Sequence, residues 1–143
     1  MQTQEQQAAS GAAAAGGGQT VSADEPVKGL SVVRWDGPGY KPMVRYGSWC
    51  FAGLNHASKF APENLSYCER HNRTDEAFVL VAGRATLLVG EDLAPVEMEP
   101  NKIYNVKAGT WHQIQTEPGT RVLIVENDDA DAFSETRPAG RRG

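Results

Sequence analysis

Residues 69–83 read ERHNRTDEAFVLVAG, and this stretch decides the fold class. Side chains alternate between the two faces of a β-strand, so Glu69 and His71 share one face. Glu76 opens the next apolar run after a short polar loop in which Asp75 favours a turn. Glu76 can therefore turn back toward the cavity that Glu69 and His71 face.

A second stretch, residues 107–112, reads KAGTWH and supplies His112 from a strand across the same cavity. Two imidazoles and one or two carboxylates that converge from three strands are a donor set typical of a divalent transition-metal site. The remaining histidine, His56, falls in no such pattern. We expect it to be structural or exposed.

The chain from Leu30 onward predicts an all-β fold. Short β-branched and aromatic runs alternate with Gly, Pro, Asn and Asp. No apolar pattern keeps a helical period for the roughly ten or more residues that an ordinary helix needs. The predicted strands are residues 31–35, 48–55, 65–71, 77–81, 85–89, 96–98, 102–106, 113–116 and 121–126.

Two short turns, Ala-Gly-Arg at residues 82–84 and Glu-Pro-Gly at residues 117–119, separate apolar runs and predict antiparallel hairpins. The runs FVLV (78–81) and VLIV (122–125) beside them are apolar at every position, which is typical of strands covered on both faces. In so small a protein such strands favour a homodimer, although a two-layer sandwich offers the same cover.

The two quoted stretches resemble the motifs of the cupin superfamily. Its first motif is His-x-His, three or four residues, Glu, six residues and Gly, and its second is Pro-x-Gly-x-x-His. Here His71, Glu76 and Gly83 fill the first motif with the expected spacing, and Gly109 and His112 fill the second. The resemblance implies a cupin-type double-stranded β-helix, a jelly-roll-like barrel built as a single domain, with a metal site at its mouth.

This resemblance covers roughly residues 65–127 and is broken at two positions. Glu69 stands where the family has its first histidine, and Lys107 stands where it has the proline. A set of two histidines and two glutamates is richer in oxygen, so it suits Mn, Fe, Ni or Zn better than Cu(I). Glu69 is alternatively a catalytic acid or base outside the ligand set, or has neither role. The candidate metal ligands are His71, Glu76, His112 and Glu69.

Three further residues are expected to meet the substrate. Phe78 and Ile114 share the strand parity of the neighbouring candidate ligands, so they should line the cavity. Arg73 continues the alternation that starts at Glu69, which would let it reach the mouth and meet an anionic substrate.

The chain has 143 residues, a formal net charge of -4 and a sequence pI near 5.3. Its length matches one domain. Its acidity provides no basic field to attract nucleic acid or an anionic membrane surface. No apolar run is long enough to cross a bilayer. We therefore expect a small-molecule substrate as partner, and neither nucleic acid nor membrane.

Composition divides the chain into a disordered low-complexity leader (1–24), a barrel domain (25–130) and a flexible C-terminal tail (131–143). The leader has neither the basic start nor the apolar stretch of a secretory signal, so the expected compartment is the cytoplasm. Cys50 and Cys68 match no C-x-x-C spacing. They are expected to be reduced, with a disulfide between neighbouring strands as the alternative.

Membership of such a superfamily does not fix a function, because one fold hosts many activities. The leading hypothesis is a metal-dependent lyase or isomerase that acts on a small, polar, oxygenated metabolite such as a sugar acid. The metal would act as a Lewis acid while Glu69 moves a proton. One alternative is a non-haem iron dioxygenase that uses His71, Glu76 and His112 as a two-histidine, one-carboxylate triad. The other is a non-catalytic ligand-binding module.

Overall fold

The computed structural model describes residues 20–140 as two five-stranded antiparallel sheets and one two-stranded hairpin. The strands are β1 (Thr20–Val27), β2 (Leu30–Asp36), β3 (Gly39–Tyr46), β4 (Trp49–Asn55), β5 (Tyr67–His71), β6 (Glu76–Ala82), β7 (Ala85–Val89), β8 (Ala94–Glu97), β9 (Tyr104–Val106), β10 (His112–Thr116), β11 (Arg121–Asn127) and β12 (Ser134–Pro138). Short 3-10 helices lie at Ser58–Phe60, Pro62–Asn64 and Ala130–Phe133. Within the described residues, no helix has the length and apolar character needed to cross a membrane. The predicted all-β, jelly-roll-like barrel is confirmed.

The first large sheet has the strand order β12-β5-β10-β7-β8 and the second has the order β3-β4-β11-β6-β9. The hydrophobic core lies between them. Phe78 and Leu80 of β6 pack with Ile124 of β11 and Leu87 of β7, and each of these side chains is at most 4% exposed. Intervening residues on β6 point outward, which is the two-residue alternation of a strand with one buried face.

The predicted hairpins are wrong, because the turns after β6 and β10 join strands that do not pair with each other. β6 pairs with β9 and β11, whereas β7 pairs with β8 and β10 of the other sheet. β10 and β11 are likewise in different sheets. Turn residues 82–84 and 117–119 therefore carry the chain from one sheet to the other. Turn residues mark a reversal of the chain, but they do not determine which strands pair on either side of it.

Strands lie on both sides of the predicted limits of the barrel domain. Residues 20–24, assigned to the disordered leader, begin β1, while residues 1–19 lie outside the described residues. Residues 134–138, assigned to the flexible tail, form β12, which pairs with β5 in unbroken register. The β12 sequence SETRP has no alternation of apolar and polar side chains, so it gave no strand signal. β3 was missed as well, and its Pro42 is tolerated because β3 is an edge strand.

Polar and cation–π contacts fasten β12 to β5. The guanidinium groups of Arg70 and Arg137 lie over the ring of Trp111, at 4.6 and 4.4 Å from its centroid. Arg70 also forms an ion pair with Glu135, and Arg137 forms one with Glu91. Trp111 is only 8% exposed, so the two arginines cover its ring and hold the C-terminal strand in place.

The outward faces of β6 and β11 are partly covered. Val79 and Leu123 are half-buried, and Val81 is 62% exposed. On the neighbouring strand β4, the ring of Trp35 lies so close to Gly53 that a Cβ there would overlap it. The homodimer that these apolar strands favour stays a prediction.

The two cysteines are buried and free. Cys50 lies on β4 and Cys68 lies on β5, which belong to different sheets. The alternative, a disulfide between neighbouring strands, is not supported, because β4 and β5 are not neighbours.

Gly83 and Gly119 offer a matched test of how the chain passes between the sheets. Both have a positive φ, +79° and +84°, so any other residue is strained at either position. A Cβ on Gly83 would also lie 2.5 Å from the Cα of Thr120, whereas one on Gly119 would have nothing within 4 Å. In urea denaturation, Gly83→Ala should lower the free energy of unfolding by about 1–3 kcal/mol more than Gly119→Ala, because only the former adds a clash with backbone. Equal losses would contradict this close approach.

Candidate metal centre

Four candidate ligands meet at one place in the barrel: Glu69, His71, Glu76 and His112. One ligand atom from each lies within 4.8 Å of those of the others. β5 supplies Glu69 and His71, while Glu76 and His112 are the first residues of β6 and β10. Glu69 and His112 are direct partners in the β5–β10 ladder. The structure therefore brings together the four residues that the sequence motifs selected.

The loop between β5 and β6 is fastened by Asp75. Its carboxylate accepts hydrogen bonds from the side chain of Asn105 at 3.0 Å and from the N–H of Ala108 at 2.8 Å. The bond from Asn105, with help from Ala108, lowers the pKa of Asp75. The N–H of Gly109 donates to the carbonyl of His71 at 2.7 Å. These bonds tie the two motif segments together beside the cluster.

Three donor atoms converge on one point. Nε2 of His71 and Nε2 of His112 lie 2.7 and 3.0 Å from the same oxygen, Oε2 of Glu76. All three side chains are buried. The His112 contact is a hydrogen bond, whereas Nε2 of His71 has no hydrogen-bond partner, because a hydrogen in its ring plane would not point at Glu76.

His112 presents Nε2 to the cluster for a definite reason. Its Nδ1 lies 3.0 Å from the carbonyl oxygen of Thr110. A carbonyl only accepts, so Nδ1 carries a hydrogen. In the neutral ring that a metal requires, Nε2 therefore carries the lone pair, whereas the hydrogen bond to Glu76 in the metal-free cluster needs a second hydrogen between Nε2 and Oε2. The backbone at the start of β10 thereby aims a ligand atom at the cavity.

Without a metal, the cluster holds protons instead. Burial alone would raise the pKa of Glu76, but the two imidazoles beside it lower that pKa. Contact with the Glu76 carboxylate raises the pKa of His71 to about 9, against the opposing effect of burial. Burial likewise opposes, but does not prevent, a rise in the pKa of His112 beside the same carboxylate. At neutral pH the metal-free cluster is an ion pair with at least one bound proton.

A divalent cation fits this arrangement. Imidazole nitrogens and carboxylate oxygens are the donors that Zn and neighbouring metals take. A buried ring nitrogen with no hydrogen-bond partner, such as Nε2 of His71, is an atom that a metal would satisfy. Glu69 is half-buried and lies within reach of the same point, which suits a fourth ligand and an acid or base equally well.

The cluster forms part of the wall of a cavity of about 200 Å³. Phe78 and Ile114 line this cavity, where the sequence placed them. Arg73 does not line it. Its side chain is exposed and its guanidinium lies 3.7 Å from the ring centroid of Phe133, beside the C-terminal 3-10 helix. The structure therefore does not support the prediction that Arg73 contacts a substrate in this cavity.

Sequence reasoning missed several polar residues in the cavity wall, among them Tyr40, Lys59 and Glu126. The Tyr40 hydroxyl donates a hydrogen bond to the Glu126 carboxylate, and burial together with this bond raises the pKa of Tyr40. Lys59 is the one lysine or arginine among the described residues of this wall. Glu126 could have been predicted, because it lies two residues after Ile124 on β11 and therefore on the same inward face. No local pattern marked Tyr40 or Lys59.

No family profile matches this sequence, and no curated protein matches it. Solved structures do resemble it. A structure of Streptomyces Pac13 with uridine aligns with a TM-score of 0.52 and 12% identity over 70% of this chain and 78% of that chain. Pac13 is described as a nucleoside dehydratase. A cupin-2 domain protein from Shewanella frigidimarina aligns with a TM-score of 0.49 and 13% identity over 62% of this chain and 79% of that chain. The strand topology and the likeness to Pac13 show the β-barrel fold that the cupin resemblance implies.

Proposed function

We propose that this protein is a metal-dependent enzyme that acts on a small, polar, oxygenated metabolite with an acidic group, such as a sugar acid. The proposed chemistry is proton transfer of the lyase or isomerase type. The observation that carries the proposal is the buried convergence of His71 Nε2, His112 Nε2 and Glu76 Oε2 in the wall of a cavity that holds further carboxylates. A cluster that served stability alone would have no need of such a cavity.

Each group of the site has a proposed task. His71, Glu76 and His112 would hold the metal, which supplies a Lewis acid for a hydroxyl or carbonyl oxygen of the substrate. Glu69 is the candidate proton acceptor, since it is the ladder partner of His112 and lines the cavity. Lys59, in place of Arg73, offers a cation to the acidic group of the substrate.

The cavity favours a polar substrate over an apolar one. Tyr40 and Glu126 add a hydroxyl and a carboxylate to the wall. Apolar side chains, among them Phe78 and Ile114, form the rest of the contact surface. A few placed polar groups within an apolar wall are typical of sites that orient a small metabolite. Pac13, described as a nucleoside dehydratase, is an analogy at the level of fold only.

Removal of either histidine should weaken metal binding. In protein purified without a histidine tag, His71→Ala and His112→Ala should each lower both the bound metal and the rise in melting temperature that added Mn, Fe, Ni or Zn produces, because a ligand that binds only the folded state stabilises it. His56→Ala is the matched control, since His56 bonds to Thr116 and does not line the cavity. Mass spectrometry of bound metal and thermal unfolding measure both effects. A wild-type protein with trace metal and no melting response would contradict the metal centre.

A conservative change at Glu69 tests the catalytic part of the proposal. Glu69→Gln is nearly isosteric, so the fold and the metal should be retained. Turnover should fall by roughly 10² to 10⁴, the usual contribution of a general acid or base. The assay is a screen of hydroxy acids and sugar acids with the metal-loaded protein. A weakened metal affinity instead would identify Glu69 as a ligand, and unchanged metal content, affinity and activity would show that Glu69 has neither role.

A further inference from the structure

We propose that Ser134, on the C-terminal strand β12, is a positioning residue of the metal centre: it holds a hydrogen on Nδ1 of His71, so that the neutral ring presents the lone pair of Nε2 to the cluster. This inference rests on the proposed metal-binding function. It extends the site to a segment that the sequence assigned to a flexible tail.

The Ser134 hydroxyl lies between two possible hydrogen-bond partners. Oγ of Ser134 lies 2.6 Å from Nδ1 of His71 and 2.7 Å from the carbonyl oxygen of Ala130. A carbonyl only accepts, and a hydroxyl has one hydrogen to donate. When that hydrogen goes to Ala130, the Ser134 oxygen is left to accept from His71, which requires the hydrogen on Nδ1.

The opposite arrangement satisfies fewer groups. If the Ser134 hydroxyl donated to a bare Nδ1, the carbonyl of Ala130 would lose this bond. The hydrogen of the neutral His71 ring would then be on Nε2, where Oε2 of Glu76 lies 2.7 Å away but is not aligned for a good hydrogen bond. Each lost bond costs on the order of 1 kcal/mol, and a buried N–H without a partner costs more. Ser134 therefore favours the one form of His71 that can bind a cation through Nε2.

Backbone pairing places Ser134 at this position. Ser134 is the ladder partner of His71 in the β5–β12 pair. One residue on, the N–H of Asn72 donates to the carbonyl of Phe133 at 3.2 Å. The 3-10 helix Ala130–Phe133 turns the chain so that the carbonyl of its first residue meets the Ser134 hydroxyl.

The two metal-binding histidines are thus oriented by different means. His112 is oriented by the carbonyl of Thr110, two residues away on its own segment. His71 is oriented by a side chain 63 positions away in sequence. The metal affinity should therefore depend on the docking of β12. Partners of this kind typically contribute about 10- to 100-fold to metal affinity.

Zinc affinity of the full chain, measured by competition with a chelator, tests the proposal. Ser134→Ala should weaken zinc binding by about 10- to 100-fold. Ser134→Thr retains a hydroxyl and should bind zinc nearly as the wild type does. Thr136→Ala is the matched control, because it removes an exposed hydroxyl from the same strand, two residues from the partner of His71. Its affinity should be unchanged.

Nitrogen chemical shifts of the neutral His71 ring provide a readout that a merely structural role would not move. In the metal-free wild type, at a pH above about 9 where the His71 ring is neutral, they should report hydrogen on Nδ1, and in Ser134→Ala they should move toward the Nε2–H form. Unchanged zinc affinity in Ser134→Ala would overturn the role of Ser134, as would equal losses in Ser134→Ala and Thr136→Ala. A wild-type protein that binds no zinc, manganese, iron or nickel would overturn the metal centre itself. This outcome is seen with the wild type alone, before any variant is compared.

Discussion

Two imidazole nitrogens and one carboxylate oxygen meet at a buried point, and such a point requires a cation. Lone pairs that face one another away from water are costly unless a proton or a metal lies between them. Without a metal, the contact with Glu76 keeps a proton on His71. The surrounding structure serves to aim these atoms. Asp75 fastens the loop before Glu76, the Thr110 carbonyl turns His112, and Ser134 turns His71.

The topology explains how residues from separate parts of the chain reach this point. β5 and β10 belong to one sheet and β6 to the other, so the cluster lies where the two sheets face each other. The turns at residues 82–84 and 117–119 pass the chain from one sheet to the other. Hairpins at these positions would have kept both strands in the same sheet. Gly83 permits the first passage, because a side chain there would clash with the backbone of Thr120. Gly83 therefore has two roles: it lets the chain pass between the sheets, and it is the last residue of the first sequence motif.

The sequence predicted the cluster better than it predicted the cavity around it. His71, Glu76 and His112 follow a fixed spacing, which can be recognised in the sequence without knowing which strands pair. Local patterns are less informative for β12 and β3, because SETRP has no apolar alternation and β3 contains a proline. Ser134, Tyr40 and Lys59 reach the site through those segments or through a 3-10 helix, so only the tertiary structure reveals them. The prediction that Arg73 reaches the cavity mouth was unreliable for a related reason. The alternation of side chains along a strand does not continue into a loop, and the Arg73 side chain lies against Phe133.

The metal centre is one cation-binding point, which a proton occupies until a metal replaces it. Calorimetric titration of the metal-free protein with zinc near pH 7.5, in two buffers of different ionisation enthalpy, counts the protons released for each metal bound. Because contact with Glu76 raises the pKa of His71 to about 9, His71 is protonated at that pH and has to lose its proton to bind. The account predicts release of about one proton or more for each zinc ion, decreasing as the pH rises past about 9. Stoichiometric zinc binding with no proton release at neutral pH would place the metal elsewhere and contradict it.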